Sequence, residues 1–174
     1  MHFTSTRTVD DAYYDELTIR TNAEQGVVEV SGKQVPTVVL RRSPDAELNK
    51  FVPIGSRNAD HLTMSVDGVE AELRPGPGKL TRRSHRVELT LAGTRYEFTP
   101  DDDDATQLRR NGATIASFHM DDDGKFTVHW LAERDDSQPA DAAIGYALSV
   151  GFRTGAKGVF TVLLNGSENV PWTP

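Results

Sequence analysis

The stretch DAAIGYALSVGF, residues 141–152, constrains the fold more than any other part of the chain. Asp136 or Ser137 can cap its start, and Pro139 suits the first helical turn. Arg153 and Gly155 suit its end. A helix over about 139–153 is predicted. Asp141, Gly145, Ser149 and Arg153 recur every fourth residue and make one narrow stripe, while the rest of the circumference is apolar. A surface helix shows a polar half, and this one does not. It is also shorter than the ~20 residues that cross a bilayer. A helix of this kind has to be buried within protein, and the remaining chain must supply the cover.

That cover reads as β structure. In HLTMSVDGVEAELR, Asp67-Gly68 is a preferred two-residue hairpin turn. It pairs Val66 with Val69, Met64 with Ala71 and Leu62 with Leu73 on one face, and Ser65 with Glu70, Thr63 with Glu72 and His61 with Arg74 on the other. RVELTLAGTRYEFT alternates Val87, Leu89 and Leu91 against Tyr96 and Phe98, turning around Ala92-Gly93-Thr94. Asn111-Gly112 turns a third hairpin. A loop over Asp121–Asp123 turns a fourth, with Ala116, Phe118, Met120, Phe126, Val128 and Trp130 sharing its apolar face. Ser117, His119, Lys125, Thr127 and His129 fall on the opposite face. Leu17/Ile19, Val28/Val30 and Val38/Leu40 mark earlier strands, and Ser43-Pro44-Asp45 opens one helical turn through Lys50. After the helix, Phe160, Val162 and Leu164 mark a final strand over about 158–164.

The expected architecture is one mainly β domain (α+β) over residues 1–174, an antiparallel meander curled into a barrel or roll around one apolar helix near the C-terminus. The alternative is an open sheet with the helix on one face and a partner or second copy covering the other. The meander ending in KFTVHWLAE, followed by PADAAIGYALSVGF, resembles the tubby-like family with its LURP-one and scramblase-like relatives. The resemblance implies a closed barrel around an apolar helix, contact with lipid or phosphoinositide in some members, and no enzymatic activity in general. One departure is the apolar strand VFTVLL after the helix, since in that family the helix usually ends the chain.

Composition excludes several classes. A hydrophobic content of 37% and a charged content of 26% suit a globular domain rather than a disordered one. The net charge of −7 opposes non-specific binding to nucleic acid or to an anionic membrane, while leaving room for a local basic patch. The absence of cysteine removes disulfides, thiolate metal sites and cysteine nucleophiles. No segment is long and apolar enough to span a membrane, and no secretion signal opens the chain. A cytoplasmic protein is expected, and the richness in Asp, Arg and Thr suggests a bacterial one.

No motif points to a cofactor, a metal or a catalytic residue. In the acidic run at 121–124 neither plausible start puts both a Gly sixth and an acid twelfth, as a calcium loop requires. There is no Gly-x-Ser-x-Gly elbow, and PGPGK at 75–79 lacks the spacing of a phosphate-binding loop. His2, His61, His85, His119 and His129 form no ligand cluster; His119 and His129 share a polar face but sit several strand positions apart. If that face pointed inward, Ser117, Thr127 and His129 would line a polar pocket.

The charge anomaly is RPGPGKLTRRSHR, residues 74–86. It places five cations, Arg74, Lys79, Arg82, Arg83 and Arg86, in 13 residues without an acid, whereas residues 101–136 hold ten acids and four cations. Guanidinium groups on a Gly/Pro loop match phosphate and carboxylate bidentately. A solvated connection is the alternative use of such a segment. The leading functional expectation is a non-catalytic binding or interaction domain that meets a protein partner or an anionic amphiphile through these five residues. A second is a small-barrel enzyme acting on a bacterial metabolite, for example a cyclase, with an apolar pocket walled by Tyr96, His129 or Trp130. A third is a structural subunit of a homo-oligomer.

Overall fold

A computed structural model describes residues 2–79, 81–102, 104–121, 123 and 125–153. Eleven strands form one antiparallel sheet in chain order: β1 (Ser5–Asp11), β2 (Asp15–Asn22), β3 (Val27–Gly32), β4 (Val38–Arg42), β5 (Leu62–Val66), β6 (Val69–Pro75), β7 (Val87–Leu91), β8 (Thr94–Pro100), β9 (Ala105–Arg110), β10 (Ala113–Met120) and β11 (Phe126–Trp130). The sheet curls into a nearly closed barrel around α1 (Pro139–Phe152). The strand expected over about 158–164 and Gly155 lie outside the described residues.

The hairpin registers follow the turn chemistry. Val66 opposes Val69 and Met64 opposes Ala71; Leu89 opposes Tyr96 and Val87 opposes Phe98. Asp67, Ala92 and Asn111 each take a positive φ before a glycine, the geometry of two-residue turns. His61 does not pair with Arg74, because it belongs to a short 3-10 turn, Ala59–His61, that precedes β5. The segment from Ser43 to Lys50 forms turns rather than a helix. A single isolated helical turn fixes several torsions for one hydrogen bond, and here Ala46, Val52 and Ile54 pin the segment to the core instead. The β10–β11 connection runs over residues 121–125, longer than the expected loop: Met120 opposes Phe126 and Ser117 opposes His129. Asp121 causes the shift, its carboxylate accepting from Lys125 N at 2.7 Å and its N–H donating to Lys125 O at 3.0 Å.

The single chain encloses its helix. Every residue from Asp141 to Phe152 is buried, so no second copy is needed to cover it. Ile144, Leu148, Val150 and Phe152 pack on the inward residues of the sheet, each contributing roughly 1.5–3 kcal/mol by leaving water. The four-spaced stripe does not face solvent. Gly145 lies against the Phe118 ring and Gly151 against Leu40, so closely that an added Cβ would overlap either side chain. Ser149 donates to Gly145 O at 2.7 Å within the helix. The N-cap is Gln138, not Asp136 or Ser137. Gln138 N donates to Asp141 Oδ2 at 2.8 Å, while Ser137 bonds Arg134 O and the Tyr14 hydroxyl at 2.7 Å each.

An up-and-down meander puts alternate connections at opposite ends of the barrel. At the turn end lie the β5–β6, β7–β8 and β9–β10 turns, the 12–14 and 33–37 connections and the start of α1. At the loop end lie connections 23–26, 43–61, 76–86, 101–104 and 121–125 and the finish of α1, where Ile54 N donates to Gly151 O at 3.0 Å.

Candidate functional site

The turn end holds two buried carboxylates. Asp141 is 0% exposed, and its Oδ2 takes hydrogen bonds from Gln138 N and from Arg110, which also donates to Asp136 O at 2.7 Å. Oδ1 receives no hydrogen bond among the described residues. Burial pushes the Asp141 carboxyl above its ordinary range, against the opposing pull of the Gln138 N–H and Arg110. Burial and the neighbouring Asp141 push the Tyr96 hydroxyl upward too. The second carboxylate, Asp11, joins the sheet edges. Its Oδ1 accepts from Tyr13 N, Tyr14 N and Trp130 Nε1 at 2.9, 3.1 and 3.2 Å, and its Oδ2 accepts from Tyr146 at 2.9 Å. Tyr13 stacks on Trp130 at 4.8 Å and donates to Ala132 O at 3.1 Å. These contacts bind β1 to β11 at this end, although no ladder pairs the two strands among the described residues.

The loop end is built from cations on carbonyls. Arg42 is buried and donates to Ile54 O and Glu24 O at 3.0 and 2.7 Å, tying two loops together. Its Nε has no acceptor among the described residues. Arg57 donates to Gly76 O and His85 O at 2.9 and 3.0 Å, holding the 76–86 loop to the 43–61 loop, and stands 5.3 Å over the Phe152 ring. Burial lowers the Arg57 pKa to about 10. Burial also lowers that of His85, helped by the Arg57 charge and opposed by a bond to Lys79 O. Sequence reasoning did not single out Arg42 or Arg57. Neither carries a clear sequence signal: Arg42 closes the apolar strand β4 after Arg41, and Arg57 follows Gly55-Ser56.

The five expected contact residues divide. Arg74 bonds Glu72 at 2.8 Å through Nε, and Arg86 bonds Glu88 at 3.2 Å, so both are neutralised on the outer wall of the barrel. Arg82 reaches Asp101 O at 3.2 Å. Lys79 and Arg83 are exposed, and no acceptor engages their side chains among the described residues. The structure brings Lys79, Arg82 and Arg83 together at the loop end. It adds an apolar neighbour there: Leu48 and Phe51 are 68% and 69% exposed, with Lys50 Nζ 5.3 Å from the Phe51 ring. The other exposed large hydrophobics, Val69 and Leu131, stand singly at the turn end.

The polar face of β10–β11 points outward, opposite buried Ala116 and Phe118, so the inward arrangement in which Ser117, Thr127 and His129 would line a pocket does not occur. Of Tyr96, His129 and Trp130, the alternatives for the wall of a catalytic pocket, Tyr96 is interior and His129 exterior. One expectation about this face changes. His119 and His129 are not several strand positions apart. The longer loop moves β11 by two residues along β10 and leaves their ring centroids 5.3 Å apart.

No helix among the described residues is long and apolar enough to cross a membrane, and no group of three or more His, Asp or Glu side chains converges there as a metal site. Compared with protein-family models, curated proteins and solved structures, the chain finds no match in any of the three.

Proposed function

We propose that this protein is a non-catalytic binding domain that engages an anionic amphiphile, at the headgroup level of a lipid surface, through the loop end of the barrel. The observation that carries this reading is the exposure of Leu48 and Phe51 beside Lys50, at the same end as Lys79, Arg82 and Arg83. Exposed apolar side chains rimmed by cations suit an interface that is apolar on one side and negatively charged on the other. Arg57 supports the arrangement by fixing the two loops to each other through both ends of its guanidinium. A tubby-like relationship, proposed on the sequence pattern, is in keeping with contact to a lipid headgroup.

A catalytic reading has less support, because α1 occupies the barrel axis and the polar groups it would need face opposite sides of the wall. A structural-subunit reading loses its main motive, since the helix is already covered by its own chain. An acidic protein surface is the second reading; in its support, Arg82 donates to the main-chain carbonyl of Asp101, and the neighbouring Asp102 carboxyl, held below its ordinary range chiefly by the Asp104 N–H, is lowered further by the Arg82 charge.

Co-sedimentation with phosphatidylcholine vesicles, with and without phosphatidylserine, tests the proposal. The net charge of −7 opposes approach to an anionic membrane, so attraction has to come from the local cations Lys50, Lys79, Arg82 and Arg83; binding through them is expected only to serine-containing vesicles and is expected to weaken steeply with salt. Leu48→Ser with Phe51→Ser should release the protein from vesicles without unfolding it. Absence of binding at low salt, or binding unaffected by that double variant, overturns the lipid reading and leaves the protein-surface one.

A further inference from the structure

Beside the cationic 76–86 loop, which Arg82 ties to Asp101 O, the loop end carries a concentration of acids: Asp101, Asp102, Asp104, Asp121 and Asp123. His119 and His129 stand on the barrel wall directly below them, His119 one residue from the end of β10. Both imidazoles face outward, and they meet edge to face with centroids 5.3 Å apart and planes at 89°. Two imidazoles bound to one tetrahedral ion at about 2.1 Å place their ring centroids about 5 Å apart. The pair is already at chelating distance. Ser117 Oγ lies 3.4 Å from His119 Nε2; in the tautomer with the proton on Nε2, that N–H faces the hydroxyl and Nδ1 carries the lone pair a metal ligand needs. The Asp102 carboxylate, which accepts from Asp104 N and Ala105 N through Oδ1, also senses the His119 charge. The surrounding carboxylates raise the local concentration of cations.

We infer that His119 and His129 together form a surface site for a divalent transition cation of the kind that imidazole prefers, zinc, nickel or copper. No third His, Asp or Glu converges on the pair among the described residues, so water completes the coordination sphere and the site is open and exchangeable. The inference does not rest on the lipid reading, because it uses the outer face of β10 and β11 and none of the side chains proposed for lipid contact. Together the two would let one end take both a cation and an anion.

Isothermal titration of the full chain with zinc chloride tests it, using a His2→Gln background so that the histidine beside the amino terminus does not compete. One equivalent of zinc is expected. His119→Gln and His129→Gln should each weaken it roughly tenfold or more, while His85→Gln, in the cationic loop, should leave it unchanged. Zinc should raise the unfolding temperature of the parent and not that of the double variant. No heat at millimolar zinc, unchanged affinity in the double variant, or weakening in only one of the single variants overturns the shared site.

Discussion

The two ends of the buried helix are charged in opposite senses and built for opposite purposes. At the start of α1, Asp141 meets Arg110 and the Gln138 N–H, and nearby Asp11 gathers four donors from three separate segments. At the finish of α1, Arg57 and Arg42 bond only carbonyls among the contacts described, and exposed Leu48, Phe51, Lys79 and Arg83 stand above them. Both charges suit the helix dipole, a carboxylate at the positive end and a guanidinium at the negative end. The connections differ in the same direction: three two-residue turns at one end, and the 43–61 and 76–86 loops at the other. Tight turns and buried carboxylates leave little to exchange with a partner, while cations held on carbonyls are not neutralised by an acid among the described residues. On the proposed function, stability is concentrated at the first end and binding at the second, and each variant below tests that division.

The largest effect is expected at Asp141. Asp141→Ala removes the N3 carboxylate of the capping box and leaves the largely buried Arg110 guanidinium without its acid, a loss of about 3–5 kcal/mol by the cost of breaking a buried pair. Urea denaturation should show it as a lower midpoint with an unchanged slope. Vesicle binding by the fraction still folded should be unaltered. A loss of binding without a loss of stability would place function at the wrong end.

Asp11→Ala comes next. It leaves the Tyr146 hydroxyl, buried inside the barrel, without its acceptor, a penalty of about 1–3 kcal/mol. It also frees Tyr13 and Trp130 from the hub that joins β1 to β11. Amide exchange should quicken in β1 and β11 before it quickens in β5 to β8. Uniform quickening along the sheet would show that Asp11 does not specifically hold the seam.

The sequence made these two ends legible to different degrees. The Asp67-Gly68 hairpin was readable because a local backbone requirement and the alternation of side chains give the same register; at Asn111-Gly112 only the turn was readable, because a bulge between Thr114 and Ala116 shifts the pairing so that Ala116 rather than Ile115 opposes Leu108. The helix was readable because its lack of a polar face admits only burial. Asp11 was not, since its partners Trp130 and Tyr146 lie 119 and 135 residues away and only the curl of the sheet brings them near. The β10–β11 register was missed for a local reason: the Asp121 side chain competes with the backbone and lengthens the loop by two residues, the behaviour that makes Asp a turn former. That shift conserves which face each residue occupies and changes only who stands opposite whom, so the apolar pattern is blind to it. It is also what brings His119 beside His129. Of the five cations read from residues 74–86, composition could not separate Arg74 and Arg86, neutralised on the wall by Glu72 and Glu88, from Lys79, Arg82 and Arg83 at the rim.

A smaller effect distinguishes the ends by pH. Burial and the neighbouring Arg57 depress the His85 pKa below the ordinary 6.5, and the bond to Lys79 O only partly offsets this. The unfolded chain therefore binds a proton at His85 more readily than the folded one. Stability contributed by this group is complete above 6.5 and declines as the pH falls below it toward the folded-state value. His85→Gln should flatten the stability profile in that window, and the decline should appear first as exchange within 76–86. A profile identical in the variant would show that the loop end does not sense this proton.

The smallest effect on folding, and the most pointed test of the division, belongs to Lys79→Ala with Arg83→Ala. Both side chains are exposed and engage no acceptor among the described residues, so their removal should change stability by no more than about 0.5 kcal/mol. Near an anionic surface each cation contributes about 1 kcal/mol, so the pair should cost about 2 kcal/mol of binding, roughly thirtyfold in affinity for serine-containing vesicles. Arg74→Ala with Arg86→Ala removes the same formal charge from the wall, where Glu72 and Glu88 already offset it, and should weaken binding far less. Equal losses in the two double variants would mean that overall charge governs association and that the loop end has no special part in it. A thirtyfold difference at equal net charge would place the contact at the rim, beside Leu48 and Phe51, where geometry rather than composition selects the surface.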